Sequence, residues 1–102
     1  MSWNYRIIYH PPSKYKVGEE ELDREEYLAI HEAYYDKKGI ADGITIDAIL
    51  AGGEGEDALI SIKWTLEKMM EALNKPILDY ETLKPIEKEK QNDFSKSIKS
   101  KK

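Results

Sequence analysis

The chain reads as an α+β domain: a three-stranded antiparallel sheet in β-β-β-α order, with one amphipathic helix packed on one face. Three observations predict it. Trp3 to His10 alternates, with Tyr5, Ile7 and Tyr9 on one face and Arg6, Ile8 and His10 on the other, as successive strand side chains do. Tyr27 to Asp36 also alternates, with Leu28, Ile30 and Tyr34 against Tyr27, Ala29, Ala33 and Tyr35. Leu59, Ile62, Leu66, Met69, Met70 and Leu73 recur at helical spacing.

The first strand ends at Pro11-Pro12, because proline cannot donate to a ladder. Ser13 to Glu26 is polar and holds Gly18 and the acidic run Glu19-Glu20-Glu21; it is expected to be an exposed hairpin connection. The second strand spans roughly Glu25 to Tyr35. It is apolar or aromatic on both faces, so it needs cover on both. A single helix covers only one, which predicts that a partner supplies the rest. Asp36-Lys37-Lys38-Gly39 is a turn signal, and a third strand follows over roughly Gly43 to Leu50. The glycines at 52, 53 and 55 break the chain, and the helix is expected from about Glu56 to Leu73. Asn74-Lys75-Pro76 stops it. Ile77 to Tyr80 is a short apolar segment expected to pack back on the domain. Residues 1–82 thus form one domain, and 83–102 read as a disordered Lys/Ser/Glu-rich tail.

The length and the 40% hydrophobic, 35% charged composition suit a single globular domain. The chain has no cysteine, which excludes thiol chemistry and disulfides. It has no apolar run of about 20 residues, the length of a membrane span. Met1 to Arg6 shows no basic region leading into an apolar core, so no secretory signal is expected and the localisation read is cytoplasmic. The net charge is −4, yet residues 87–102 carry six lysines against three acids. The acidic body disfavours phosphate-backbone binding.

Two motif fragments are weighed and set aside. Gly53-Glu54-Gly55-Glu56-Asp57-Ala58 satisfies G-x-G-x-x-A, but three acids would repel a pyrophosphate and repeated β-α-β units are missing. The glycines serve a sharp turn. His31-Glu32 begins H-E-x-x-H, but position 35 is tyrosine, and neighbours in a strand face opposite ways. No metal, no cofactor and no catalytic residue is expected.

Ile60 and Trp64 lie off the apolar stripe of the helix: either the apolar face is wide and the sheet or the 77–80 segment covers them, or they form an exposed pair of the sort that anchors an interface. With Glu32, Tyr34 and Tyr9 on the sheet, they are the expected partner-binding residues.

Asn4-Tyr5-Arg6-Ile7-Ile8, Tyr27 to Asp36 (YLAIHEAYYD) and Leu66 to Tyr80 (LEKMMEALNKPILDY) resemble a family of small bacterial and phage proteins, over most of residues 4–80. The resemblance implies no particular activity. The β-β-β-α order also looks like the HicB-like antitoxin fold, a partial RNase H-type domain; that resemblance implies neutralisation of a toxin by protein contact. The DNA-binding domain that some such antitoxins append has no counterpart here. The expectation is a non-enzymatic binding protein, antitoxin-like or an anti-defence inhibitor of the anti-CRISPR kind, that occupies another protein's surface. Its partner would be that protein or a second copy, bound through the open sheet face or the helix face. The alternative is a homodimeric structural or regulatory domain.

Overall fold

The structure is a computed structural model that describes residues 2–99. It is α+β. A four-stranded mixed sheet has the order β5-β4-β1-β6, and a separate two-stranded sheet stands beside it. The elements are β1 (Ser2–His10), β2 (Ser13–Val17), β3 (Glu20–Arg24), β4 (Tyr27–Tyr35), β5 (Ala41–Ile44), α1 (Ala58–Glu71) with a 3₁₀ turn Ala72–Asn74, β6 (Leu78–Asp79) and α2 (Lys88–Lys99).

Four expectations are corrected. The sheet has four strands rather than three: Ile77 to Tyr80 yields β6, which runs parallel to β1. The polar stretch 13–26 is itself a hairpin of two paired strands, because Gly18 at φ 65 closes a tight turn that no side chain obstructs. The third strand stops at Ile44 instead of Leu50, although Thr45 and Ile49 still donate to the Glu32 and Ile30 carbonyls. The stretch 88–99, read as disordered, is helix α2. Its first turns dock through Gln91, whose side chain accepts from the Ile77 amide at 2.8 Å, and through Phe94 against the Tyr9 ring at 6.2 Å. Met1 and residues 100–102, the end of the tail read as disordered, lie outside the described residues.

β1 and β4 pair without interruption from Ser2↔Tyr35 to His10↔Tyr27. Trp3, Tyr5, Ile7 and Tyr9 therefore share a face with Tyr34, Glu32, Ile30 and Leu28. α1 packs on this face, where Tyr5, Met69 and Ala72 form the core, flanked by Ile7, Ile30 and Ile49. The helix is rotated from the expected stripe. Met69 is its only buried residue, and Leu59, Leu66, Met70 and Leu73 stay exposed. Small Ala72 lets the helix end approach β1 closely, and the bulkier leucines fall on the flank.

Much of the opposite face is buried within the single chain. Ile8 and Ala33 are fully buried in the single chain and His31 nearly so. The Arg6 guanidinium donates to the Tyr35 hydroxyl at 2.9 Å and to the Pro76 carbonyl at 2.7 Å, and the His10 ring stacks on Tyr27 at 4.3 Å. Long polar and aromatic side chains of the sheet thus roof the short residues between them.

Two truncations distinguish the observed helix face from the expected one. Met69→Ala removes a buried side chain and is expected to cost about 2–5 kcal/mol. Leu66→Ala removes a half-exposed one and should cost less than about 1 kcal/mol. Denaturant melts of both variants measure the difference, and equal losses would restore the expected stripe.

Candidate functional site: a tryptophan-lined cleft beside an open strand edge

The first half of β1 and the outward flank of α1 enclose a cleft of about 410 Å³ lined by Trp3, Asn4, Tyr5, Trp64, Lys68, Glu71 and Lys75. Odd-numbered residues of β1 face α1, so Trp3 and Tyr5 form its floor. Their rings meet edge to face at 5.3 Å, a favoured aromatic geometry. The wall is built from residues about one helical turn apart. Trp64 and Lys68 are such a pair, with the ammonium 5.9 Å from the indole centre. Lys68 also bridges Glu71 at 3.4 Å. Lys75 makes none of the ion pairs found among the described residues.

The cleft's floor is also a strand edge. The Tyr80 amide donates to the Tyr9 carbonyl at 2.9 Å, so the Tyr9 backbone faces β6. Backbone groups of alternate residues in a regular strand point to the same edge, so those of Trp3 and Tyr5 face it too. β6 pairs only with Ile8 and Tyr9. Beyond it, among the described residues, no strand pairs with Trp3 or Tyr5 on that side.

The structure brings four of the five expected contact residues to this end of the molecule. Trp64 is 49% exposed and Ile60 68% exposed. Together with Ser61 and Thr65 they border a second, shallower depression. Tyr34 lies opposite Trp3, and Glu32 opposite Tyr5. The Tyr34 hydroxyl donates to Glu32 at 2.9 Å. That hydrogen bond, aided by burial and by the carboxylate's charge, holds the phenol pKa above its ordinary value.

Tyr9 is the correction. It lies at the far end of β1, is buried, and is spent on internal contacts. Its hydroxyl donates to Glu26 at 2.8 Å and accepts from Lys90 at 2.8 Å, and Lys90 bridges Glu26 at 3.0 Å. The Tyr9 hydrogen bond, followed by that from Lys90, lowers the Glu26 pKa. The same hydroxyl, followed by Glu26, raises that of Lys90. This triad straps α2 to the sheet. Sequence reasoning missed Trp3, Lys68 and Lys75 as site residues. The odd-residue face shared by Trp3 and Tyr5 was the available signal; the lysines left none without the helix rotation.

The polar cluster on the other face is a closed structural pair. His10 Nε2 lies 3.0 Å from His31 Nε2, and His31 Nδ1 lies 2.9 Å from the Thr45 carbonyl. A carbonyl only accepts, so His31 Nδ1 carries the proton. In neutral His31 the Nε2 then accepts from His10 Nε2–H. No group of three or more metal-ligating side chains occurs among the described residues. Comparison with protein-family models, curated proteins and solved structures returns no match to any of them.

Burial first, then the neighbouring His31 and Arg24, lowers the His10 pKa from its ordinary 6.5. The unfolded chain therefore takes up a proton on this residue before the folded one does. Stability from this group is full above pH 6.5 and is lost as pH falls from there through the folded pKa. Denaturant melts between pH 8 and roughly pH 5 should show this loss, and His10→Gln should flatten that limb. An identical limb in the variant would assign the loss to other groups.

Proposed function

We propose that this protein is a non-enzymatic binding module that acts by occupying a surface of another protein, with the Trp3–Trp64 cleft as its contact region. The carrying observation is that Ile60 and Trp64 stay exposed on the flank of α1 beside Trp3. A helix flank that presents a tryptophan and an isoleucine to solvent beside an aromatic floor has the composition of an interface centre. The whole-chain charge of −4 would steer it toward a partner with a basic surface. Antitoxin-like neutralisation and anti-defence inhibition are the settings that fit such a partner. In both, the effect comes from covering a site and needs no chemistry of the binder's own.

A second reading is favoured by one separate observation. Leu59, Leu66 and Leu73, seven residues apart, stay exposed with Met70 on the other flank of α1 and the 3₁₀ turn that follows it, so a homodimer through that flank is the alternative. Light scattering of the wild type and of Leu66→Lys decides it: a dimer that the substitution splits supports it, and a monomer at high micromolar concentration removes it.

Trp64→Ala and Ile60→Asp are expected to leave the melt nearly unchanged, since surface substitutions shift stability by roughly 0.5 kcal/mol. Each should weaken partner binding by about 2 kcal/mol or more, as interface anchors do. Calorimetric titration against the partner recovered from the native host measures this. Unaltered affinity in both variants would move the contact region elsewhere.

A further inference from the structure

We infer that the open edge of β1 receives an extended segment of the partner protein, which adds as a strand beside Trp3 and Tyr5 and lays apolar and acidic side chains into the cleft. This inference rests on the reading of that cleft as the contact region, and it names the form and chemistry of what binds there.

Backbone geometry sets the form. Trp3 and Tyr5 each present an N–H and a C=O to the same edge, within an aromatic-floored cleft. β6 occupies that edge only at Ile8 and Tyr9. Pro76 follows the 3₁₀ turn and comes level with Arg6, whose guanidinium takes the Pro76 carbonyl; proline has no N–H with which to extend the ladder. The edge from Ser2 to Tyr5 is thus left without a strand by the chain's own covalent structure. A strand placed there would lie about 4.8 Å from β1, between it and the wall of Trp64, Lys68 and Glu71. Main-chain hydrogen bonds supply affinity in such additions, and pockets for alternate side chains supply selectivity.

The lining sets the chemistry. On an acidic chain, the cleft's charged residues are two lysines and one glutamate. Lys68 is already paired with Glu71, and Lys75 is available for a carboxylate. Trp3, Tyr5 and Trp64 take an apolar or aromatic side chain. Long-range steering follows the charge of the whole chain, but pairing inside the cleft follows groups within about a Debye length of 8–10 Å. Lysine beside an open edge also opposes indiscriminate pairing, so an acidic segment is selected over a neutral one.

Phage display of random heptapeptides on the immobilised full chain provides the probe, and the best peptide is then synthesised. The expected selection is an extended peptide with an apolar residue and a carboxylate on the same alternating face. Its binding should fall at least tenfold with Trp64→Ala and about as much with Lys75→Glu. Single N-methylation along the peptide then reads the backbone. Strand addition predicts loss at every second residue and tolerance between them. Peptides that require Trp64 yet show no two-residue period would keep the contact region and overturn strand addition. Failure to select any peptide, or selection indifferent to Trp64, would overturn both.

Discussion

The fold depends on the unequal pairing of β1. Along one edge it pairs with β4 over its whole length, and along the other β6 meets it at only two residues. The long pairing fixes which side chains share a face and so builds both the core under α1 and the polar roof opposite. The short pairing has identifiable causes. Pro76 has no amide to offer upstream. Downstream, the Asp79 carboxylate accepts from the Glu81 and Thr82 amides, an Asx-type turn that bends the chain away. Leu83 then adopts a left-handed φ of 59. The returning segment covers the outer side of β6, through the Ile86 amide on the Ile77 carbonyl and a bridge between Leu78 and Pro85. Among the described residues, the edge at Trp3 and Tyr5 is left without a partner strand.

The two faces of the sheet are stabilised differently. The α1 face relies on a small apolar cluster centred on Tyr5, Met69 and Ala72. The other face buries two histidines and an arginine, and buried polar groups of this kind require directed partners. Arg6 illustrates the stringency: two of its nitrogens find oxygens, while its buried Nε has no partner. The hairpin β2–β3 belongs to neither face. Its strands are exposed except at half-buried Leu22, its ion pairs from Lys14 to Glu21 and Asp23 are on the surface, and such pairs contribute little. A lone two-stranded hairpin is marginal in water, so this arm is the least stable part of the fold.

Much of this was legible in the sequence because it rests on local periodicity. The alternation of Tyr5, Ile7 and Tyr9 and of Leu28, Ile30 and Tyr34 placed β1 and β4 to within two residues of their observed starts, and the glycines and Pro76 bracketed α1. The parallel pairing of β6 was not legible, because two residues carry no period. The orientation of α1 was misread because its stripe was weighted by side-chain size, whereas close approach to β1 selected Ala72. The tail was read by composition; Gln91, Lys90 and Phe94 bind it through specific side-chain contacts that composition does not register. The exposure of Trp64 and Ile60 was legible because both lie off the stripe. The cleft that Trp64 lines was not legible, because it needs a strand edge and a helix flank brought together over more than 60 residues of chain.

The central claim is that β1 has a paired edge and a bare edge within the same residues. Amide hydrogen exchange of the free protein, resolved residue by residue, tests it most directly. Asn4, Arg6 and Ile8, whose amides point to β4, should be protected together. The Trp3 and Tyr5 amides should exchange orders of magnitude faster, although the Tyr5 side chain is buried. Protection of Trp3 and Tyr5 equal to that of their even-numbered neighbours would show that the edge is already occupied and would contradict the account.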